Sequence, residues 1–232
     1  MQLDEFSNSL LLLRLEETAL GAAVAVAVVM LVLPLRTRHV LRIALRSHVQ
    51  AIGAMADHAA ERLLGEEDQA GGTLRGDARA VDASYQALVA TAQPLRRNLF
   101  GSLDAEAGQM MRLASASRNY SRNLVADVEA IGLADTETRM QIEQASATLH
   151  DSIEVVAGAF TGSRDATYTR SSALFDRAEL RLERGFAVAG EGQLAIRDLK
   201  LIDGAMAGMA ELMGLHITDY DTSGVPGAVR HI

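Results

Sequence analysis

Cysteine and tryptophan are absent from this chain, lysine occurs once at Lys200, and proline occurs only at Pro34, Pro94 and Pro226. Without cysteine there is no disulfide framework, no thiolate zinc site and no cysteine nucleophile. No Gly-x-x-x-x-Gly-Lys-Ser/Thr run surrounds the single lysine, which excludes a P-loop for nucleotide phosphates. A Gly-x-Ser-x-Gly nucleophile elbow is missing as well. Aromatics make up only 4% of the residues, while alanine, leucine and arginine abound. That balance favours helices, and no segment shows a convincing period-two strand pattern. The fold class read from the sequence is therefore all-α.

Negative charge dominates, with a net −8, but it is segregated. An acidic body argues against a nucleic-acid partner, which needs a basic face to neutralise phosphates. The basic residues Arg36, Arg38, Arg42 and Arg46 cluster directly after the one long apolar run, with no acid among them. From Thr18 to Leu35 there is no charged residue, and the Thr18 hydroxyl is the one strongly polar group. At a rise of about 1.5 Å per residue, roughly 18 residues just cover a hydrocarbon core of about 30 Å. A strand would normally stop after about 4–8 residues, so the sequence predicts one transmembrane helix over 18–35. Asp4, Glu5, Glu16 and Glu17 outweigh Arg14 before it, and arginines follow it, so the N-terminus is expected outside and the C-terminal part in the cytoplasm. A cleaved signal peptide would carry its basic residues before the apolar region, not after it.

The remainder divides into a lead-in, 1–17, which is extracytoplasmic or the end of a preceding membrane helix, a cytoplasmic helical domain, 36–214, and an irregular tail, 215–232. Leu41, Leu45, Val49, Ile52, Met55 or Ala56, Ala59 and Leu63 recur at three- and four-residue steps and predict an amphipathic helix ending at Gly65. Asp77 is the expected N-cap of a second helix that Pro94 interrupts or bends. Further helices are expected from about Leu103 to Gly132, from Asp135 or Thr136 to Gly162, over 167–184, and from Leu194 to Met213. The domain thus reads as a bundle of about five helices, with helical hairpins or coiled-coil packing.

Candidate chemistry is sparse, and the sequence points away from an enzyme. His58 and Glu61 share a helical face, as half of a bundle metal site would require, but no second Glu-x-x-His pattern completes it. Asp219, Asp221 and Ser223 imitate the opening of a calcium loop, yet its twelfth position is Arg230 where a glutamate is needed. No metal and no cofactor is expected. The membrane segment offers more. Arg14, Glu16 and Glu17 at its outer boundary are candidates for lining a solute path or bracing neighbouring helices. Gly21 and Ala25, four residues apart, would let another helix approach closely. Arg36, Arg38, Arg42 and Arg46 are candidates for contact with anionic lipid head groups, at about 1 kcal/mol each.

The segment Leu12-Leu13-Arg14-Leu15-Glu16-Glu17-Thr18, then Gly21-Ala22-Ala23, a small-residue membrane helix, Leu33-Pro34 and a basic helix beyond it resembles the last membrane helix of a half-unit in the fusaric acid resistance-like proteins, which group with the aromatic acid exporters. Asn119-Tyr120-Ser121-Arg122-Asn123-Leu124 and Ala195-Ile196-Arg197-Asp198 through Asp203 are similar to helical segments of that family. The resemblance implies a block of membrane helices followed by a long helical cytoplasmic domain, and proton-linked efflux of aromatic or amphiphilic acids in a bacterial inner membrane. This chain has one such span, so a transport path would need further membrane helices of the same protein or of partner subunits, or homo-oligomers. The alternative expectation is a single-pass membrane scaffold or signalling protein with a helical cytoplasmic module.

Overall fold

The computed structural model describes residues 2–65, 70–97, 105–128, 136–163, 165–185 and 190–220; inside its helices the side chains of 2–13, 26–38, 70–73, 94–97, 184–185 and 190–191 lie outside the description. Six helices carry the described chain: α1 (Gln2–Leu63), α2 (Ala70–Arg97), α3 (Ala105–Asp127), α4 (Thr136–Ala159), α5 (Ser172–Gly185) and α6 (Gly190–Leu212). The fold is all-α, with a small ribbon of two strands, β1 (Thr167–Arg170) and β2 (His216–Asp219). The chain divides into two compact units, Met1–Val40 and Leu41–Ile232.

The first unit is helical, and every described side chain from Arg14 to Ala25 is exposed. Among the described residues no helix is long and apolar enough to cross a membrane. The side chains of residues 26–35, the larger part of the expected span, lie outside the described residues, as do those of Arg36 and Arg38.

The second unit has a continuous core. In α1 the residues Leu41, Leu45, Val49, Ile52, Met55, Ala56, Ala59 and Leu63 are all buried, which is the stripe that the three- and four-residue spacing predicts. Each fully buried aliphatic of this kind is worth about 1.5–3 kcal/mol over its exposed state. The helix closes where Gly65 takes a positive φ of 69° and donates its N–H to the Arg62 carbonyl, a conformation that costs a residue with a Cβ about 1 kcal/mol. In α3, Met110, Ala114, Ser117, Ser121 and Leu124 are buried at steps of four and three, and α3 packs along α6. The two run antiparallel: a Cβ on Gly208 would lie 3.1 Å from a Leu113 methyl, while Asn123 hydrogen-bonds Asp198. Likewise a Cβ on Gly53 would lie 3.0 Å from the Ile153 Cγ2 methyl, marking a close approach of α1 and α4.

Several expectations are corrected. The second helix begins at Ala70, not at Asp77, and Asp77 faces His58 on α1 instead of capping its own helix. It also continues through Pro94 to Arg97, since a proline near a helix end removes one backbone donor and leaves the rest of the ladder in place. The helix expected over 167–184 is a strand followed by a shorter helix, and the tail expected to be irregular from Leu215 contains β2. The strands pair in parallel, with Thr167 opposite His216, Tyr168 opposite Ile217, Thr169 opposite Thr218 and Arg170 opposite Asp219. Four residues are too few for an alternation to register in sequence, and the partner strand lies beyond two intervening helices. Residues 221–232, with the remainder of the supposed calcium loop, lie outside the described residues.

One buried carboxylate pins this ribbon to the bundle. The Tyr168 hydroxyl donates to Asp203 Oδ1 at 2.7 Å and lies 3.0 Å from the Asp203 carbonyl, while the Ser172 N–H donates to Oδ2 at 3.1 Å. Asp203 of α6 therefore caps the start of α5 from outside that helix, satisfying an amide that has no intrahelical partner.

Candidate functional site

The residues singled out from sequence fall in both units of the chain. Arg14, Glu16, Glu17, Gly21 and Ala25 are exposed, and a Cβ added at Gly21 would meet nothing within 4 Å. The Thr18 hydroxyl donates to the Arg14 carbonyl at 2.7 Å, so the one polar side chain of the apolar run is satisfied inside its own helix. Arg42 is exposed, whereas Arg46 is half-buried with its Nε lacking a hydrogen-bond partner among the described residues. His58 pairs with Asp77 across α1 and α2 at 2.5 Å, and Glu61 is exposed. Among the described residues no three His, Asp or Glu side chains gather as metal ligands.

A polar cluster that sequence reasoning missed lies between α1, α2 and α3. His48 is 0% exposed. It follows Leu45 by three residues and precedes Ile52 by four, so the apolar spacing of α1 itself turns it inward. Its Nε2 lies 3.1 Å from the Ala114 carbonyl of α3 and its Nδ1 2.9 Å from Ser84 Oγ of α2. A carbonyl only accepts, so Nε2 carries a proton in either charge state. The Ser84 hydroxyl also lies 2.8 Å from the Val81 carbonyl. In neutral His48, Nδ1 accepts the Ser84 proton; in charged His48, Nδ1–H donates to Ser84 Oγ, which turns its own proton to Val81. The ring keeps both its hydrogen bonds in either state, and the charged state adds the Ser84–Val81 bond.

Charge is arranged around this ring on one side. The Tyr85 ring is 5.6 Å from the imidazole at 52°, and the Arg118 guanidinium sits 4.8 Å over the same Tyr85 ring. Arg118 Nε and Arg122 Nη2 donate to the two oxygens of Asp82, each at 2.7 Å. The Arg122 bond, seconded by Arg118, holds the Asp82 carboxyl below its usual range. Burial pushes His48 below the ordinary imidazole range, the Ala114 carbonyl partly opposes this, and the positive Arg118 adds to it. The Ser84–His48 contact has the reach of a nucleophile and base. The ring is fully buried, and its two nitrogens tie α1 to α2 and α3.

A second, acidic centre lies along α3 and α6. Asp198 is 6% exposed, beside Asp127 and the Asn123 amide. Burial and then the Asp127 charge raise its carboxyl to about 6, against a smaller stabilising contribution from Asn123. On α4, His150 Nδ1 meets Asp57 of α1 at 2.8 Å, and that hydrogen bond raises the imidazole above its ordinary value.

No protein-family model, curated protein or solved structure matches the chain.

Proposed function

We propose that this chain supplies a membrane helix and the cytoplasmic helical domain that follows it in an exporter-like bacterial inner-membrane protein, one that moves aromatic or amphiphilic acids outward. The observation that carries the reading is the character of the helix over residues 14–25. Leu15, Leu20 and Val24 are 70%, 68% and 56% exposed; Leu20 and Val24 share one face of the helix and Leu15 lies on the opposite side. From Ala19 to Ala25 no residue is polar, and Thr18 spends its hydroxyl on its own backbone. The two turns over 18–25 are apolar all round, which calls for lipid or other helices around them, and in hydrocarbon every polar group must be satisfied internally. The resemblance of the Leu12–Ala23 segment to the exporter family supplies the substrate class.

On this reading Arg14 and Glu17 sit at the outer mouth and meet other membrane helices or an anionic solute. Gly21 and Ala25 admit a neighbouring helix, and Arg36, Arg38 and Arg42 face anionic lipid. The helical domain acts in assembly or gating. The absence of cysteine makes the test clean: a Ser9→Cys variant carries a single thiol. It should react with an impermeant maleimide in intact cells, and the chain should stay in the membrane pellet after alkaline carbonate extraction. Release into the supernatant overturns the membrane reading. An Arg14→Ala exporter that assembles and clears a benzoate-type acid as fast as the parent overturns the role of Arg14.

A further inference from the structure

We propose that the junction around His48 is a proton-operated latch, closed while the imidazole is neutral and loosened when it is charged, that controls how firmly the Leu41–Leu63 part of α1 is held by α2 and α3. The proposal stands on the hydrogen-bond geometry and is independent of the membrane reading. A buried histidine ordinarily resists protonation twice over, through desolvation and through loss of the acceptor role of one nitrogen. The second obstacle is absent here. Ser84 Oγ, 2.9 Å from Nδ1 and 2.8 Å from the Val81 carbonyl, can reverse its direction by rotating one hydroxyl. The proton therefore enters without breaking a hydrogen bond of the ring, and what opposes it is burial together with the neighbouring charge.

That charge balance is unfavourable to the proton. From α3, Arg118 and Arg122 face the cluster; from α2, Asp82 and Tyr85 face it; on α1 itself Arg46 lies two residues away. On α4, His150 reaches α1 at Asp57, between two and three turns further along, with Asp151 and Glu154 beside it. Asp82 is the one carboxylate among those groups at the junction, and both its oxygens are taken by the two arginines. A charged His48 would put a second cation against the Tyr85 ring that Arg118 already covers. The relief open to the cluster is separation of α1 from the Tyr85 and Arg118 side, which hydrates the imidazolium. The latch thus responds on the acid side of the ordinary histidine value.

The test is amide hydrogen exchange of the full-length chain in detergent micelles at pH 7.5 and pH 5.5, corrected for intrinsic rates. Protection of the peptides covering 45–52 and 81–88 should fall by about tenfold or more at the lower pH, while that of 195–210 on α6 does not follow. In His48→Gln, whose amide can donate to the Ala114 carbonyl and accept from Ser84 but cannot titrate, this pH dependence should vanish. Should His48→Gln fail to fold, Ser84→Ala answers the same question by histidine ring NMR. Without the reversible hydroxyl, the charged ring loses its acceptor, and the His48 midpoint should drop by about half a pH unit. A parent chain with the same corrected protection at both pH values overturns the latch. So does an unchanged pH response in His48→Gln, or an unmoved midpoint in Ser84→Ala.

Discussion

Two buried polar centres share α3, and they answer acid in opposite directions. Around His48 the surrounding charge is positive and the titrating group is kept neutral at pH 7. Around Asp198, burial and then the negative Asp127, against a weaker pull from Arg197, push the titrating carboxyl up to about 6. Acidification from neutral therefore charges the first centre and discharges the second. A neutral-state preference alone does not tell whether a buried group stabilises or strains a fold; the sign of its neighbours and the pH together decide. His48 contributes stability that is fully present above the unfolded histidine value and is lost as pH falls below it. Asp198, with its folded value above the unfolded one, costs stability above about pH 6 and is relieved as pH falls through that value.

The largest expected effect breaks the first centre outright. His48→Ala should remove about 2–4 kcal/mol through the cavity and the loss of the hydrogen bonds to Ala114 and Ser84, read as the shift in the denaturant midpoint at pH 7.5. Next comes the acidic centre, where Asp198→Asn should stabilise by about 2 kcal/mol at pH 7.5. That gain should shrink at pH 5, and an equal gain at both pH values would refute the assigned cause. Arg122→Gln should cost less, about 0.5–1 kcal/mol, because this half-exposed arginine leaves Arg118 still bonded to Asp82. Its thermal midpoint should fall slightly while that of Arg118→Gln falls further. The smallest effect sharpens the comparison: His150→Gln should flatten the pH dependence of stability above pH 6.5. A raised imidazole contributes below its unfolded value, and that contribution disappears as pH rises through the folded value.

Much of the fold was legible from residue spacing. Helix α1 declares its inward face from Leu41 to Leu63 because one helix packs that whole stripe against neighbours, so period and burial coincide. The same stripe could have flagged His48, which occupies an apolar register position; what could not be read was its partner set, since Ser84 and Ala114 come from other helices. The metal half-site at His58 and Glu61 dissolved for the converse reason. Spacing placed the two on one face, but a residue from α2, Asp77, took the imidazole. Asp198 lay in a segment noted only for its family-like pattern, and its environment depends on Asp127, far away in sequence. The ribbon was missed because strand identity in so short a segment comes from pairing and not from local pattern.

That ribbon also orders events in time. Because β1 and β2 are parallel, the chain must build α5 and α6 before β2 can return to lie beside β1. During synthesis Thr167–Arg170 leaves the ribosome without its partner, and Tyr168 waits for Asp203 and then for Ile217. The strand that closes the seam thus emerges about fifty residues after its partner, and a nascent domain still lacking it presents an open strand edge for other chains or chaperones to pair with.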